Sequence, residues 1–238
     1  MLDFYSKQLL MSGPSLTPTD PSKLKFGDRI DNKATVVGTY NSKDLGTVVY
    51  AVLDAQYRGA NMAWASGLYG IDTGLPNYTD DAAPTEQNKE SATYNTDYIL
   101  NNYSNKATEA FTFCRDKGSL TYNGKAYNCQ LPNAYELQEI FNKRTELDVL
   151  DPTAETNSTK KLSNWGFGSN NISYDFAYVW SSNEYSSSYA CCVIDSDGSW
   201  YVEYKDSAHV GVCPIIEIPI NTSSGPIIKD QESDGGGV

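Results

Sequence analysis

The last third of the chain constrains the fold most, because it carries four short strand-like segments in close succession. They read YDFAYVWSS, YACCVID, SWYVEYK and HVGVCPIIEIP, between Tyr174 and Pro219. Aromatic and β-branched residues are frequent in each segment, as in β-strands of folded proteins. The segments predict an antiparallel sheet at the C-terminal end of the domain.

The middle of the chain predicts two hairpins. Two β-branched runs, ATVVGTY and GTVVYAVLDA, lie on either side of NSKDLG and indicate the first hairpin. An Asn-Gly pair separates the tyrosine-bearing segments of LTYNGKAYNCQLP and indicates the second, which ends at Pro132. Between the hairpins, a polar stretch from Gly67 to about Asn95 is long enough for a functional loop.

Two helices are predicted beside the second hairpin. Ser104 is a candidate N-cap for the first helix, and apolar residues follow it at i, i+3, i+4 and i+7. These residues are Ala107, Ala110, Phe111 and Cys114. Asn133 is a candidate N-cap for the second helix, whose buried side is formed by Leu137, Ile140 and Phe141. Helices followed by a run of strands predict an α+β fold with two helices and a C-terminal antiparallel sheet.

The chain divides into one domain and two flanking segments. Residues 1–30 contain SGPSLTPTDPSK and are interpreted as a lead-in or connector. Residues 31–219 form the domain, since a hydrophobic fraction of 39% over 238 residues supports a buried core. Residues 220–238 are polar and rich in glycine, which predicts a flexible tail.

The net charge of −12 limits the partners of the chain. Such a charge repels phosphate backbones and anionic lipid surfaces, so nucleic acid is not an expected partner. No segment approaches the ~20 consecutive apolar residues that span a bilayer, and membrane insertion is not expected. The first residues lack a basic start followed by a long apolar run, so the chain shows no signal peptide.

Cysteine and histidine content argues against metal and redox chemistry. Five cysteines form an odd set without CxxC spacing, and free, buried thiols are expected. Cys191 and Cys192 are adjacent, so on a strand their side chains point to opposite faces and make a poor redox pair. The segment Asp195–Ser199 begins like a calcium loop but lacks a suitably spaced Glu, and its Asp-Gly pair indicates a hairpin turn. We therefore expect no metal site, no cofactor and no catalytic residues.

Tyrosine content points to a recognition surface. The chain has 18 Tyr against 7 Phe and 4 Trp, and Tyr offers large contact area at low entropic cost. Strand alternation is expected to leave one set of side chains on a shared outer face, where they bind a ligand. That set is Tyr189, Cys192, Ile194, Ser196, Tyr201, Val202, Glu203, Tyr204, Asp206 and His209. Trp200 is expected either to anchor the sheet or to belong to the ligand-binding set.

Six segments, taken in order, resemble the C-type-lectin-like domains related to formylglycine-generating enzymes. They are NTDYILNN, ATEAFTFC, CQLPNAYELQEIFN, VWSSNEYSSSYACCV, SDGSW and VCPIIEI. The resemblance covers roughly residues 31–219 and is nearest to domains of bacterial and phage proteins, including variable proteins of diversity-generating retroelements. The chain departs from that pattern at residues 211–214, where GVCP replaces an Arg-Val-Arg-Pro-like motif. It also departs at Cys191 and Cys192, which replace aromatic residues, and at Asp195, a usually apolar position.

The resemblance implies a C-type-lectin-like fold that presents a variable ligand-binding surface on its last strands. It implies a receptor-recognition or adhesion role on a virion surface, as in a phage tail fibre, or on a bacterial cell surface. The partner would be a cell-surface protein or glycan, and a tail fibre would make the chain a homo-oligomer, namely a trimer. The Glu-Pro-Asn and Trp-Asn-Asp motifs of calcium-dependent sugar binding are absent. Two alternatives stay open: a structural or assembly module without external ligand, and an enzyme of formylglycine-generating or glycan-acting type.

Overall fold

The computed structural model describes residues 17–75, 90–164, 178–194 and 200–220. In chain order the strands are β1 (Arg29–Ile30), β2 (Ala34–Ser42), β3 (Gly46–Leu53), β4 (Gly59–Met62), β5 (Ser119–Tyr122), β6 (Lys125–Asn128), β7 (Tyr178–Glu184), β8 (Tyr189–Ile194), β9 (Trp200–Tyr204), β10 (Val210–Val212) and β11 (Ile215–Pro219). The α-helices of these ranges are α1 (Ala92–Asn102), α2 (Glu109–Arg115), α3 (Ala134–Asn142) and α4 (Arg144–Leu150). The predicted α+β class is confirmed.

The first sheet is antiparallel and has the order β1-β2-β3-β11. The predicted hairpin of β2 and β3 is confirmed, with Ala34 opposite Leu53 and Ser42 opposite Gly46. Strand β1 lies in the predicted lead-in but pairs with β2, and Leu24 before it is buried in the core. Packing on this sheet therefore begins ahead of residue 31.

The second sheet has the order β4-β10-β7-β8-β9. Strands β7, β8 and β9 are antiparallel neighbours, as predicted. The prediction of a wholly antiparallel C-terminal sheet is wrong, because β10 pairs parallel to β7 and β11 pairs with β3 of the first sheet. Only Cys213 and Pro214 separate β10 from β11, so the chain passes from one sheet to the other within two residues.

The second predicted hairpin is formed by β5 and β6 and is a small sheet of its own. Asn123 and Gly124 connect the two strands, with φ angles of 48° and 75°. Two successive residues at positive φ define the tight turn that Asn-Gly favours.

The described residues contain four α-helices, whereas the sequence predicts two. Helix α3 begins as expected, because the Asn133 side chain accepts from Glu136 N and the Glu136 side chain accepts from Asn133 N. Helix α2 begins at Glu109 behind Thr108 rather than behind Ser104, and Ala107 is exposed instead of buried. No helix in the described ranges is both long and apolar enough to cross a bilayer.

Three hydrophobic clusters form the core. The first lies between the two sheets, where Leu137 and Phe141 of α3 meet Tyr50 of β3 and Val179 of β7. The second covers the other face of the second sheet with residues of α1 and α2, and it contains Trp64, Ile99, Phe111 and Trp180. The third lies between the first sheet and the β5–β6 hairpin. Both faces of β7 and β8 are consequently covered.

Candidate functional site

Three tyrosines come together at the β9 edge of the second sheet, and we call Tyr69, Tyr189 and Tyr204 the tyrosine cluster. Tyr189 of β8 and Tyr204 of β9 are register partners, and their ring centroids lie 4.5 Å apart. Tyr69 follows a short 3-10 helix, and its ring centroid lies 6.1 Å from that of Tyr204. Tyr69 is 47% exposed and Tyr204 is 45% exposed, so solvent reaches two of the three rings.

The hydroxyl groups of this cluster interact with one another. The pKa of Tyr189 is raised to about 12, mainly by a hydrogen bond with Tyr204 and also by burial and by the neighbouring Tyr204, Tyr69 and Glu203. The Tyr189 hydroxyl therefore stays protonated and neutral at physiological pH. A ligand at this cluster would therefore contact aromatic rings and hydroxyl groups, and the Tyr189 side chain would carry no negative charge.

A second pair of tyrosines lies on the opposite face of the sheet. Tyr178 of β7 and Tyr201 of β9 stack across β8 with centroids 5.3 Å apart and ring planes at 20°. Tyr201 is 45% exposed. Because Tyr201 and Tyr204 are three residues apart on one strand, alternation sends them to opposite faces.

The prediction of one shared outer face is therefore wrong. Tyr201 and Glu203 pair with Cys192 and Ala190, whereas Trp200, Val202 and Tyr204 pair with Val193, Cys191 and Tyr189. Paired residues project to the same side of a sheet, so the predicted set divides between two faces. The predicted ligand-binding residues therefore do not form one continuous hydrophobic patch.

Individual members of the predicted set have different environments. The prediction that Cys192 is exposed is wrong: the residue is buried, because α1 and α2 cover its face of β8. Trp200 packs against the core between the sheets and is an anchor. Val202 and Glu203 are half-buried, and Asp206 and His209 are exposed. Ile194 ends β8, and Ser196 lies outside the described residues.

A buried ion pair lies directly beneath the tyrosine cluster. Lys205, the residue after Tyr204, is fully buried, and its ammonium group contacts the Glu184 carboxylate and donates to Ile71 O at 2.8 Å. The same carboxylate accepts from Thr73 N at 3.1 Å and from Thr73 Oγ1 at 2.7 Å. Burial lowers the pKa of Lys205, and the Glu184 carboxylate opposes that change. The pair fixes the loop of residues 66–75 to the sheet.

The remaining contacts of this loop also hold Tyr69 in place. Ala65 N donates to Lys205 O at 3.1 Å, and the Lys205 ammonium lies 5.3 Å from the Trp64 ring centroid. Gly67 N donates to Ala107 O at 3.0 Å. The backbone that carries Tyr69 and Tyr204 is thus held in place by hydrogen bonds to neighbouring segments.

The cysteines have no accessible chemistry in this fold. All five thiols are free and buried. Burial raises the pKa of Cys191 to about 12, and burial also raises the pKa of Cys192 well above its ordinary value. A thiol acts as nucleophile only as thiolate, so neither residue fits the redox pair of formylglycine-generating enzymes. Within the described ranges, no group of three or more His, Cys, Asp or Glu side chains is arranged to hold a metal ion.

Sequence reasoning found Tyr189 and Tyr204 but missed Tyr69 and the ion pair. Tyr69 lies more than one hundred residues from β9, and no periodicity links the two segments. The ion pair leaves no local pattern, because Glu184 ends β7 and Lys205 lies 21 residues later in the turn after β9. Comparison with known protein families, with curated proteins and with solved structures finds no match for this chain.

Proposed function

We propose that the chain is a ligand-binding module without catalytic activity, and that the tyrosine cluster is its main contact surface. One observation carries the proposal: two half-exposed rings and a third beside them are held on a fixed base at a sheet edge. Exposed aromatic residues on rigid backbone bind partners well, because little conformational entropy is lost on contact. The buried thiols argue against the redox alternative.

The setting that we propose follows from the sequence resemblance. We propose a C-type-lectin-like fold that serves receptor recognition or adhesion, on a phage tail fibre or a bacterial surface protein. The ligand would be a cell-surface protein or glycan. In a retroelement variable protein, Tyr189, Tyr201 and Tyr204 would belong to the residues that differ between sister copies. Sequencing those copies separates this setting from that of an unvaried adhesion domain.

The binding role is tested with arrays of immobilised glycans and of synthetic peptides that range from acidic to basic. The test variant is Tyr69→Ala combined with Tyr204→Ala, and its control is Tyr94→Ala. Tyr94 is 41% exposed on α1, so the control removes a similarly exposed ring elsewhere. We expect the wild type and the control to bind the same array members, and the double variant to lose about 90% of the signal.

Folding of each variant is checked by its melting temperature. Exposed rings contribute little to packing, so the free energy of unfolding is expected to fall by no more than about 1–2 kcal/mol. If no array member distinguishes the double variant from the wild type, the tyrosine cluster is not a binding surface. A structural or assembly module would then be the better description.

A further inference from the structure

We propose that the tyrosine cluster binds a cationic group, namely an arginine or lysine side chain of a basic peptide or protein segment. This inference rests on the proposed binding function and names the chemistry of its ligand. It follows from the faces of the rings, the charges around them and the way in which other rings of this protein are covered.

The rings themselves favour a cation. A tyrosine face carries negative potential and attracts an ammonium or guanidinium within about 6 Å of the ring centroid. The centroids of Tyr69 and Tyr189 lie 6.1 and 4.5 Å from that of Tyr204. A planar guanidinium that contacts Tyr204 therefore lies close to a second ring as well, and it can also stack on one of them.

Charges near the cluster have the complementary sign. Glu203 projects from the other face of β9, but its carboxylate turns back and accepts from Tyr204 N at 2.8 Å. Asp206 is exposed just beyond Tyr204. Asp72 is exposed in the loop that carries Tyr69. Lys205, the residue after Tyr204, is buried and is neutralised by Glu184. With a net charge of −12 on the chain, the potential at this edge attracts cations and repels anions.

Other aromatic rings of the protein are already covered by its own lysines. Lys117 lies 3.8 Å from the Phe113 centroid, and Lys143 lies 5.6 Å from the Phe26 centroid. Lys125 lies 5.3 Å from the Tyr127 centroid in the β5–β6 hairpin. Among the described residues, no lysine or arginine covers a ring of the tyrosine cluster. The cluster thus offers the same contact to a cation from outside the chain.

The test uses three fluorescein-labelled decapeptides, in which glycine alternates with arginine, with glutamine or with glutamate. Dissociation constants are measured by fluorescence anisotropy at low and at physiological salt. We expect the arginine peptide to bind the wild type at least about tenfold more tightly than the glutamine peptide. We expect no binding of the glutamate peptide.

Ring substitutions separate attraction to an aromatic face from general attraction to an acidic protein. Tyr69→Leu with Tyr204→Leu keeps apolar area but removes the aromatic faces, and affinity for the arginine peptide should fall about tenfold. Tyr69→Phe with Tyr204→Phe keeps the faces, and affinity should stay within about threefold. Glu203→Gln should weaken binding more than Glu146→Gln, which removes an exposed charge on α4.

The outcomes also separate this inference from the proposed function. If the Leu and Phe variants bind the arginine peptide equally well, or if Glu146→Gln and Glu203→Gln have equal effects, the cationic ligand is refuted. If array members of another class still require Tyr69 and Tyr204, the cluster remains a binding surface with a different ligand. If no probe depends on these tyrosines, both the inference and the proposed function fail.

Discussion

At the scale of single residues, Glu136 and Glu217 form a carboxyl pair inside the protein. Both are buried, and Glu217 accepts from Ala92 N at 3.2 Å and from Thr93 N at 2.7 Å at the start of α1. Glu136 accepts from Asn133 N through one oxygen, while its other oxygen is buried without a donor and faces Glu217. A proton shared by the two carboxyls supplies the missing donor.

Burial is the largest cause that raises the pKa of both carboxyls, and for Glu136 the rise is large. The Asp44 carboxylate adds to the rise in both. A carboxyl whose pKa is raised in the folded state stabilises the fold fully below its unfolded value of 4.5. That contribution is lost as the pH rises from 4.5 through the folded pKa.

We therefore predict that Glu136→Gln stabilises the protein at neutral pH by about 1–3 kcal/mol, because the amide replaces the protonated carboxyl. At about pH 4 the variant and the wild type should have similar stability, since Glu136 of the wild type is then largely protonated in both the folded and the unfolded state. Urea unfolding from pH 4 to pH 8 measures the difference, with Glu146→Gln, which changes an exposed carboxylate of α4, as control. A wild type that is more stable than the variant at pH 8 would contradict a shared proton.

At the scale of elements, the loop of residues 66–75 is held by close backbone contact as well as by the ion pair. A Cβ at Gly67 would lie 2.5 Å from Ala107 N, nearer than atoms approach without movement. Gly67→Ala should therefore cost about 1–3 kcal/mol, because the loop must move away from the segment before α2. Displacement of the loop moves Tyr69, so affinity for any tyrosine-cluster ligand should fall as well.

The control for this prediction is Gly38→Ala in β2, where the new Cβ would meet Tyr50 Oη at 3.4 Å. Melting temperatures and the peptide titrations described above measure both effects. If Gly67→Ala retains the melting temperature and affinity of the wild type, the loop tolerates displacement and its contact with Ala107 has no structural importance.

The sequence predicts those elements whose signals are local. Helix α3 is readable because Asn133 and Glu136 form a capping box ahead of apolar residues. Helix α1 is missed because its buried face includes Asn95 and Thr96, whose partners come from other elements. Asn95 Nδ2 donates to Ser182 Oγ, a contact that no helical pattern shows. A helix whose buried face is partly polar shows no clear hydrophobic periodicity in its sequence.

The candidate site is predictable only in part, for the same reason. The pattern of β8 and β9 identifies Tyr189 and Tyr204 as strand residues. Alternation shows which strand residues share a face of the sheet, but not which face is exposed. Which side meets α1 and α2 depends on tertiary packing, and for that reason the strand pattern does not reveal that Cys192 is buried. The partner of Tyr204 from the distant loop, Tyr69, becomes visible only in the folded structure.

At the scale of the whole molecule, each of the three hydrophobic clusters of the core contains at least one cysteine. Cys213 lies between the sheets, Cys114 of α2 and Cys192 of β8 lie between the second sheet and its helices, and Cys129 lies behind the β5–β6 hairpin. Burial raises the pKa of Cys129 and of Cys213 to about 11. Native thiols are therefore protected by both burial and protonation.

We predict that these thiols react together and only when the protein unfolds. In native buffer at pH 8, an aromatic disulfide reagent should label less than about one thiol per chain before global unfolding. In denaturant, labelling of all five should follow the loss of circular dichroism with one rate. Peptide mapping by mass spectrometry identifies each site. A subset that labels early would show that one cluster opens independently of the others.

The passage of the chain from β10 to β11 has a consequence for biosynthesis. Strand β10 fills the place between β4 and β7, and five residues later β11 pairs with β3, so ten consecutive residues complete both sheets. During translation, the hairpin of β2 and β3 emerges early but waits with one edge unpaired until β11 leaves the ribosome. Long-range pairing of this kind is slow, and a waiting hydrophobic edge is open to mispairing. Neither sheet can therefore be completed until residues 210–219 have left the ribosome.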